Sequence, residues 1–410
     1  MRLVPLLAVW LAAAAHAQGP SDAVPGLSDS VRVSLLTMLP GDEVYSLFGH
    51  SALRISDPVM GLDRTYNFGT FSFEQPFFVL RFLRGSLDYQ LDTDPFYVEL
   101  AKYQYLRRPI IEQTLDLPPE AAAALYARLG ENALPENRAY RYDFFWDNCS
   151  TRLLDAVDSA LVDVGGPGLE LPPVEAPRTF RQLLDPYWAG TPAVGLGANL
   201  ALGTPADRVA TAREETFLPV ELAAQFDRAT VAGRPLVARR DTLFWVPGAG
   251  LPEPAPRVPL WTAWALFAVG VVGTVLGFWQ PGSRIGRWGD ALLFGIVGFA
   301  GTVFLLLWTA TAHEVTGPNW NLLWAWPTHL AAAWAAARGR RWRPYFLAAA
   351  GACAVTAVLW VVLPQSLPAP ALPLVLLVGL RAAVRGGAVS PGVFRPLPSL
   401  RGGESPIPVS

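Results

Sequence analysis

The stretch Tyr142-Asp143-Phe144-Phe145-Trp146-Asp147-Asn148-Cys149-Ser150-Thr151-Arg152 holds a cysteine directly after an Asp-Asn pair. Asp and Asn are preferred helix N-caps, so this pair predicts a helix that begins at Cys149 and runs to Ala160. Cys149 would then lie in the first turn, where free amides and the helix dipole stabilise a thiolate and lower its pKa. The stretch therefore predicts an activated thiol at a helix start.

One histidine lies in the same region, within Phe48-Gly49-His50-Ser51-Ala52-Leu53-Arg54-Ile55. Residues 47–56 are typical of a strand, and Gly49 would allow close backbone approach beside His50. Taken singly, Cys149 could be a small buried hydrophobe and His50 a hydrogen-bonded strand residue. Together they predict a Cys–His dyad in which the imidazole activates the thiol. One Cys and one His cannot complete a four-ligand structural zinc site, so we expect no metal and no other cofactor.

The segments around the two residues predict an α+β domain with an antiparallel sheet over residues 28–160. Strands are expected at 31–37, 65–71 and 108–117, and helices at 77–85 and 120–129. Residues 161–257 are rich in Pro, Gly and Ala, with helical fragments at 179–184 and 218–229. We interpret them as an extension that packs this domain onto the region that follows, with Asp207, Glu214 and Glu215 facing solvent.

From Pro259 onward the chain is mostly apolar. Five segments approach the roughly 20 residues needed to cross a bilayer, at 259–279, 289–311, 322–337, 344–363 and 368–384. Arginines lie between segments one and two, between three and four, and after the fifth, whereas loops 312–321 and 364–367 carry no Lys or Arg. The positive-inside rule then places the N-terminal domain outside and the C-terminus inside. We therefore predict a helical transmembrane bundle at 258–385 in a multi-pass membrane protein.

The two ends of the chain have their own signals. Arg2, an apolar run from Leu3 to Ala15 and the small residues Ala15-His16-Ala17 predict a signal peptide over residues 1–17. No cysteine directly follows the expected cleavage site, so the chain is not expected to be a lipoprotein itself. Residues 386–410 are rich in Pro, Gly and Ser and are predicted to be a disordered cytoplasmic tail.

The first outer loop, residues 312–321, is polar and lies on the same side as the exported domain. Its tryptophan neighbours are typical of an aromatic belt at the membrane surface, which is the ordinary interpretation. The alternative is that His313, Glu314 and Asn319 bind a lipid headgroup or close the active site.

Composition excludes some functions. The chain has 410 residues, is 52% hydrophobic and has a formal net charge of −2, which argues against nucleic acid as a partner. Its mean hydropathy of +0.29 is too high for an ordinary soluble enzyme. The one lysine, Lys102, has no serine motif beside it, so a serine–lysine hydrolase is not expected.

Four stretches together resemble the Lnb family, whose founding activity is that of a bacterial lipoprotein intramolecular transacylase. They are Phe48-Gly49-His50-Ser51-Ala52-Leu53-Arg54-Ile55, Tyr66-Asn67-Phe68-Gly69-Thr70-Phe71, Leu83-Arg84-Gly85-Ser86-Leu87-Asp88-Tyr89, and Asn137-Arg138-Ala139-Tyr140-Arg141-Tyr142-Asp143-Phe144-Phe145 leading to Asn148-Cys149-Ser150-Thr151-Arg152. The resemblance continues into the membrane segments and covers most of the chain.

The order of His before Cys also resembles permuted papain-like enzymes such as the lecithin:retinol acyltransferase group. That layout implies a polar residue that orients the imidazole, and Asn67 is the candidate, with an ordinary strand-end residue as the alternative. Cys149 would take an acyl group as a thioester, its amide would bind the oxyanion, and Asn148 or Tyr142 would supply a second donor or orientation. Arg84, Arg138 and Arg152 are candidate contacts for polar substrate groups, although surface pairing is their default role.

The Lnb resemblance implies a location in the bacterial inner membrane and a substrate held there, a diacylglyceryl lipoprotein or a phospholipid. The sn-2 chain would move to the N-terminal amine and leave a lyso-form lipoprotein. Two alternatives stay open: a lipid, lipoprotein or cell-wall peptide hydrolase with the same dyad, and a non-catalytic membrane-anchored binding or scaffold protein. The sequence does not decide the oligomeric state.

Overall fold

The computed structural model describes residues 26–72, 74–250 and 257–390. The predicted signal peptide at 1–17 lies outside these residues, as does the predicted disordered tail from residue 391 onward.

A seven-stranded antiparallel sheet forms the centre of the N-terminal domain, in the order β6-β4-β3-β2-β1-β5-β9, and β7 pairs with β8 in a separate hairpin. The strands are β1 (Arg32–Met38), β2 (His50–Asp57), β3 (Leu62–Thr70), β4 (Asp88–Pro95), β5 (Ile110–Leu115), β6 (Ala139–Arg141), β7 (Thr230–Val231), β8 (Arg234–Pro235) and β9 (Val237–Phe244). The α+β class and the antiparallel sheet are confirmed.

Helices pack on both faces of this sheet. The eight in the N-terminal domain's described residues are α1 (Phe78–Arg84), α2 (Phe96–Tyr105), α3 (Pro119–Asn132), α4 (Cys149–Asp163), α5 (Phe180–Leu184), α6 (Pro192–Ala201), α7 (Ala212–Glu215) and α8 (Pro219–Arg228). Leu35 and Leu53 belong to the core shared with α3, α4 and α8, whereas Leu36 and Ala52 pack with Tyr103 of α2. Strand β1 is therefore buried on both faces rather than on one.

The segment at 161–257 completes the core as well as extending it. Strand β9 pairs along β5, and α8 contributes Leu222 and Phe226 to the same core as α4. The acidic residues predicted to face solvent are all paired with arginines. Glu215 is only 1% exposed and accepts a hydrogen bond from Arg178, so its predicted exposure is wrong.

Residues 257–390 form five α-helices: α9 (Val258–Val275), α10 (Arg284–Ala310), α11 (His329–Ala337), α12 (Arg343–Val358) and α13 (Ala371–Gly386). By length and composition α9 and α10 can cross a bilayer, α12 is apolar but shorter, and α11 has 9 residues. Helix α11 begins seven residues later than expected because a 3₁₀ turn at Trp320–Leu323 and Pro327 precede it. Five membrane crossings therefore stay a prediction.

A buried ion-pair cluster joins these helices. Asp290 of α10 accepts hydrogen bonds from Arg381 (2.8 Å) and Arg385 (3.2 Å) of α13, and Arg381 also donates to Thr274 of α9 (2.6 Å). Both arginines are among the charges after the fifth apolar segment on which the predicted orientation partly rests. Because both are buried and paired, they add little to the argument for orientation.

Hydrogen bonds also tie this helical region to the N-terminal domain. The Gly203 amide donates to Val315 O (2.8 Å), and the Gln365 side chain donates to Leu202 O (2.8 Å). Loop 312–321 is thereby fixed beside the domain that carries Cys149.

Candidate active site

A cavity of about 1250 Å³ lies where the N-terminal domain meets the helical region. Cys149 and His50 both line it, and so do Trp308, His313 and Glu314 from the other side. The two residues singled out by the sequence therefore share one cavity, and the loop after α10 forms part of its wall.

The start of α4 is fixed by a capping box, as the sequence predicted. Asn148 Oδ1 accepts hydrogen bonds from the amides of Ser150 (2.8 Å) and Thr151 (3.0 Å), and Thr151 Oγ1 accepts from the Asn148 amide (2.8 Å). These bonds satisfy amides that a helix start leaves free and hold Cys149 as the first helical residue.

Asn148 has no donor left for an oxyanion. Its Nδ2 donates to Phe144 O (2.6 Å) and to Phe217 O (2.8 Å), and its amide donates to Thr151. The predicted oxyanion role of Asn148 is therefore wrong. Its predicted orienting role fits, because the side chain ties the helix start to two neighbouring segments.

Asn67 holds the imidazole. His50 Nε2 lies 3.1 Å from Asn67 Oδ1, while Asn67 Nδ2 donates to Thr65 Oγ1 (3.4 Å). Because the amide nitrogen of Asn67 faces Thr65, its oxygen faces the ring and accepts from Nε2–H. Nδ1 is then the ring nitrogen left with a lone pair.

Cys149 and His50 lie where strands β2 and β3 separate. Their pairing reaches only to Leu53 and Tyr66, although the same register would set His50 opposite Gly69. The start of α4 fills this gap: the Ser51 backbone is close enough to favour the Cys149 thiolate, and the Ser51 and Ser150 hydroxyls lie 3.1 Å apart. The split in the sheet thus brings Cys149 beside the residue that follows His50.

Gly69 is required at this gap. Its φ is +86°, a conformation that other residues adopt only with strain, and it lies in a β-bulge of β3. A Cβ added there would lie 3.4 Å from the Cys149 Cβ. Gly49 similarly takes φ +82°, where a Cβ would lie 2.7 Å from Met38 O, and this turn leads the chain into His50.

Burial keeps both members of the pair neutral. Burial, helped by the charges of Lys102 and Arg108, lowers the pKa of His50 to about 3 and outweighs the Asn67 hydrogen bond. Burial also raises the pKa of the Cys149 thiol, more than the surrounding hydrogen bonds lower it. The predicted lowering of the Cys149 pKa is therefore wrong, because the thiol is only 9% exposed and its desolvation exceeds the effect of the helix start.

Tyr142 lines the same cavity as Cys149. Its ring stacks on Tyr89 at 4.1 Å, and its Cε2 would lie 3.5 Å from a Cβ at Gly69. Burial, and then the Cys149 charge, raise the pKa of Tyr142 well above its ordinary value. The phenol therefore keeps its proton and is a hydrogen-bond donor at neutral pH.

The three candidate arginines do not reach the cavity. Arg84 and Arg138 are exposed and outside its lining. Arg152 binds Asp147 through two hydrogen bonds (2.5 and 2.8 Å) and stacks on the Tyr140 ring at 3.6 Å. Arg152 is thus held in a structural pair.

Of the three candidates in the outer loop, two line the cavity and one does not. His313 and Glu314 are part of the wall. Asn319 is 2% exposed, donates to Leu200 O and Ala201 O, and accepts from the Asn321 amide. Its predicted contact with substrate is wrong, because its side chain joins the loop to α6.

Several residues that shape the site were not predicted from the sequence. Ser51 follows His50 in the same motif, yet only the split strands reveal that its backbone lies beside the thiol. The rest of the cavity wall is largely aromatic, with Phe48, Phe71, Phe78, Tyr89, Phe144, Trp146, Phe217 and Trp308. Among the described residues no group of three or more His, Cys, Asp or Glu side chains could hold a metal ion.

Two family models match the chain. One, described as the Lnb N-terminal periplasmic domain, matches residues 27–185, and the other, described as the Lnb transmembrane domain, matches residues 253–386. No curated protein and no solved structure matches the chain. The two matches together cover most of the sequence and indicate a membrane protein whose N-terminal domain is periplasmic.

Proposed function

Because the chain belongs to the Lnb family, we propose that it is a membrane-anchored thiol acyltransferase in which Cys149 takes an acyl group from a lipid-linked ester. The donor is a diacylglyceryl lipoprotein at the outer face of the inner membrane. Its sn-2 acyl chain moves to the N-terminal amine of the same lipoprotein. The observation that carries the proposal is the shared cavity, in which Cys149 and His50 face a wall made by the transmembrane region.

In the first half-reaction the neutral dyad works by general-base catalysis. The Cys149 sulfur attacks the ester carbonyl while His50 Nδ1 accepts the thiol proton, so no ion pair exists before attack. The carbonyl oxygen becomes an oxyanion, which the Cys149 amide and the Tyr142 hydroxyl stabilise. The bond between the acyl carbon and the glyceryl oxygen then breaks, the glyceryl oxygen takes the proton from His50, and a Cys149 thioester remains.

In the second half-reaction the N-terminal amine attacks the thioester. His50 accepts the amine proton, the C–S bond breaks, and the sulfur regains the proton. The products are an amide and a lyso-lipoprotein, and both atoms and charge balance. Asn67 keeps the ring in the tautomer that exposes Nδ1.

We extend the proposal to the layout of the domain, a permuted papain-like arrangement. Three features support it: the nucleophile begins a helix, the base lies on an antiparallel strand, and the orienting amide lies on the next strand. A crystal structure with an acyl group on Cys149 would test it, since the ring must then point Nδ1 at the sulfur.

The test of function uses the full chain in lipid nanodiscs with a diacylated lipopeptide whose sn-2 chain is isotopically labelled. We expect mass spectrometry to find the label as an N-acyl group on a lyso-lipopeptide, and as a Cys149 thioester when the amine is blocked. Cys149→Ser should abolish both, His50→Gln should lower kcat by about 10²- to 10⁴-fold, and Cys353→Ser, at the other cysteine, should change neither. Labelled free fatty acid as the main product would instead show a hydrolase. If Cys149 carries no label and the Cys149→Ser variant keeps the full biological activity of the parent protein, the protein is non-catalytic.

A further inference from the structure

Helix α1 exposes an apolar face beside the cavity. Phe77, just before the helix, is 79% exposed and Leu80 is 65% exposed, and the exposed Arg84 follows on the same helical face. The opposite side of α1 packs against the N-terminal domain. Phe78 stacks on Phe71 and lines the cavity, and Arg81 binds Asp88 at 2.6 Å.

This face lies at the end of a membrane-spanning helix. The Ala312 amide donates to Arg84 O (3.0 Å), two residues after α10 ends at Ala310. Trp308, in the last turn of α10, is 44% exposed and lines the same cavity as Phe78. A helix bonded to the outer end of a transmembrane helix is at the level of the bilayer surface.

The order of residues along the exposed face of α1 is typical of a helix at the bilayer surface. Two large apolar side chains are followed by an arginine, which is the pattern of a helix lying in the lipid interface with its cation among the headgroup phosphates. The cavity rim continues this character at Val44 and Tyr45, which are 58% and 68% exposed and line the cavity.

We propose that α1 inserts its Phe77–Leu80 face into the outer leaflet and that the cavity receives the acyl chain directly from the bilayer at this edge. The proposal rests on the proposed function for the identity of the acyl chain, but the placement of α1 does not. Ring contacts from Phe78 through Phe71 and Tyr89 to Tyr142 then give an aromatic path from the lipid towards Cys149. The ester arrives at the thiol while its chain stays out of water.

The placement is tested by fluorescence. Leu80→Cys and, as a matched control, Val59→Cys are made in a Cys149→Ser, Cys353→Ala background, labelled with the environment-sensitive dye NBD and reconstituted in vesicles of phosphatidylethanolamine and phosphatidylglycerol. Val59 is 70% exposed and follows the end of β2 opposite to His50. We expect doxyl-labelled lipid to quench the dye at position 80 more strongly than aqueous iodide does. Position 59 should show the reverse.

Quenching by iodide but not by doxyl-labelled lipid at position 80 would overturn the proposal. So would protection from both quenchers, which would mean that a protein surface covers α1. A second arm of the test measures the kinetics of the unlabelled enzyme. Leu80→Asp should raise KM for the bilayer-embedded lipopeptide by about tenfold or more, because one leucine side chain no longer partitions into lipid. It should leave kcat unchanged. Val59→Asp should change neither, and an unchanged KM in Leu80→Asp would also refute it. If position 80 is in lipid but no substrate is acylated, the placement stands and the proposed function fails.

Discussion

Alkylation of Cys149 by iodoacetamide tests whether the resting dyad is neutral. We predict that, in the substrate-free protein, the rate rises steadily between about pH 6 and pH 9 and shows no plateau near neutrality. The physical reason is burial, which disfavours the thiolate and the imidazolium alike, so neither charged form stabilises the other.

The expected dependence of the alkylation rate on pH follows from the shifts of the two pKa values. With a pKa of about 3, His50 is protonated in about one molecule in ten thousand at pH 7. The Cys149 pKa lies above its ordinary value of 9.0, so fewer than about one thiol in a hundred is ionised at pH 7. Each unit of pH should therefore raise the alkylation rate about tenfold, up to the thiol pKa.

The assay follows the mass of the Cys353→Ala protein over time at each pH. His50→Gln should leave the slope unchanged, because no imidazolium supports the thiolate in the resting protein. A thiolate–imidazolium pair would behave differently, with a rate that is constant between the two pKa values. A plateau that begins below about pH 7 and disappears in His50→Gln would refute the neutral dyad and the general-base step built on it.

Three further substitutions separate structural from functional roles. Asn148→Ala should lower the free energy of unfolding by about 3 kcal/mol, because it removes a helix cap and two buried hydrogen bonds. Thr179→Ala removes a cap alone and should lower it by about 1 kcal/mol. Equal losses of melting temperature for the two variants in detergent would contradict this expectation. Asp290→Asn should cost about 3–5 kcal/mol, because it leaves two buried arginines without their counter-charge, and a variant that expresses and melts like the parent would count against the cluster. Arg152→Ala should lower stability by about 1 kcal/mol and leave KM unchanged. Arg138→Ala should change neither quantity, and a raised KM in either variant would restore a role in substrate binding.

Local signals allowed the central elements to be predicted. The start of α4 is specified within a few residues, because Asn148 and Thr151 cap each other, and the Asn–Cys dipeptide shows this without tertiary information. The strand that carries His50 is similarly local, since its residues from Leu53 to Asp57 alternate in burial. These two signals were enough to place the nucleophile and the base on the right kinds of element.

Long-range pairing explains what the sequence analysis missed. Strand β9 has exposed Arg239 and Arg240 and little alternation, and it becomes a strand because β5 offers it an edge. The roles of Asn148 and Asn319 were equally hidden, since their partners are mostly backbone carbonyls from distant segments. A polar side chain in a sequence shows what it can bond, but only the fold shows whether those bonds are already made.

The neutral dyad and the lipid-facing cavity support each other in the proposed reaction. An acyl chain that fills the aromatic cavity removes water, and removing water from an ion pair would cost several kcal/mol for each ion. A neutral thiol and imidazole avoid that cost, and charge develops only during attack, beside the Cys149 amide and the Tyr142 hydroxyl. The same exclusion of water favours the tethered amine as acceptor, because it arrives with the substrate while water must enter past the chain. Widening the aromatic wall, for example by Phe78→Ala, should therefore raise the fraction of labelled chains released as free fatty acid. An unchanged ratio of amide to fatty acid would show that water is excluded by something other than this wall.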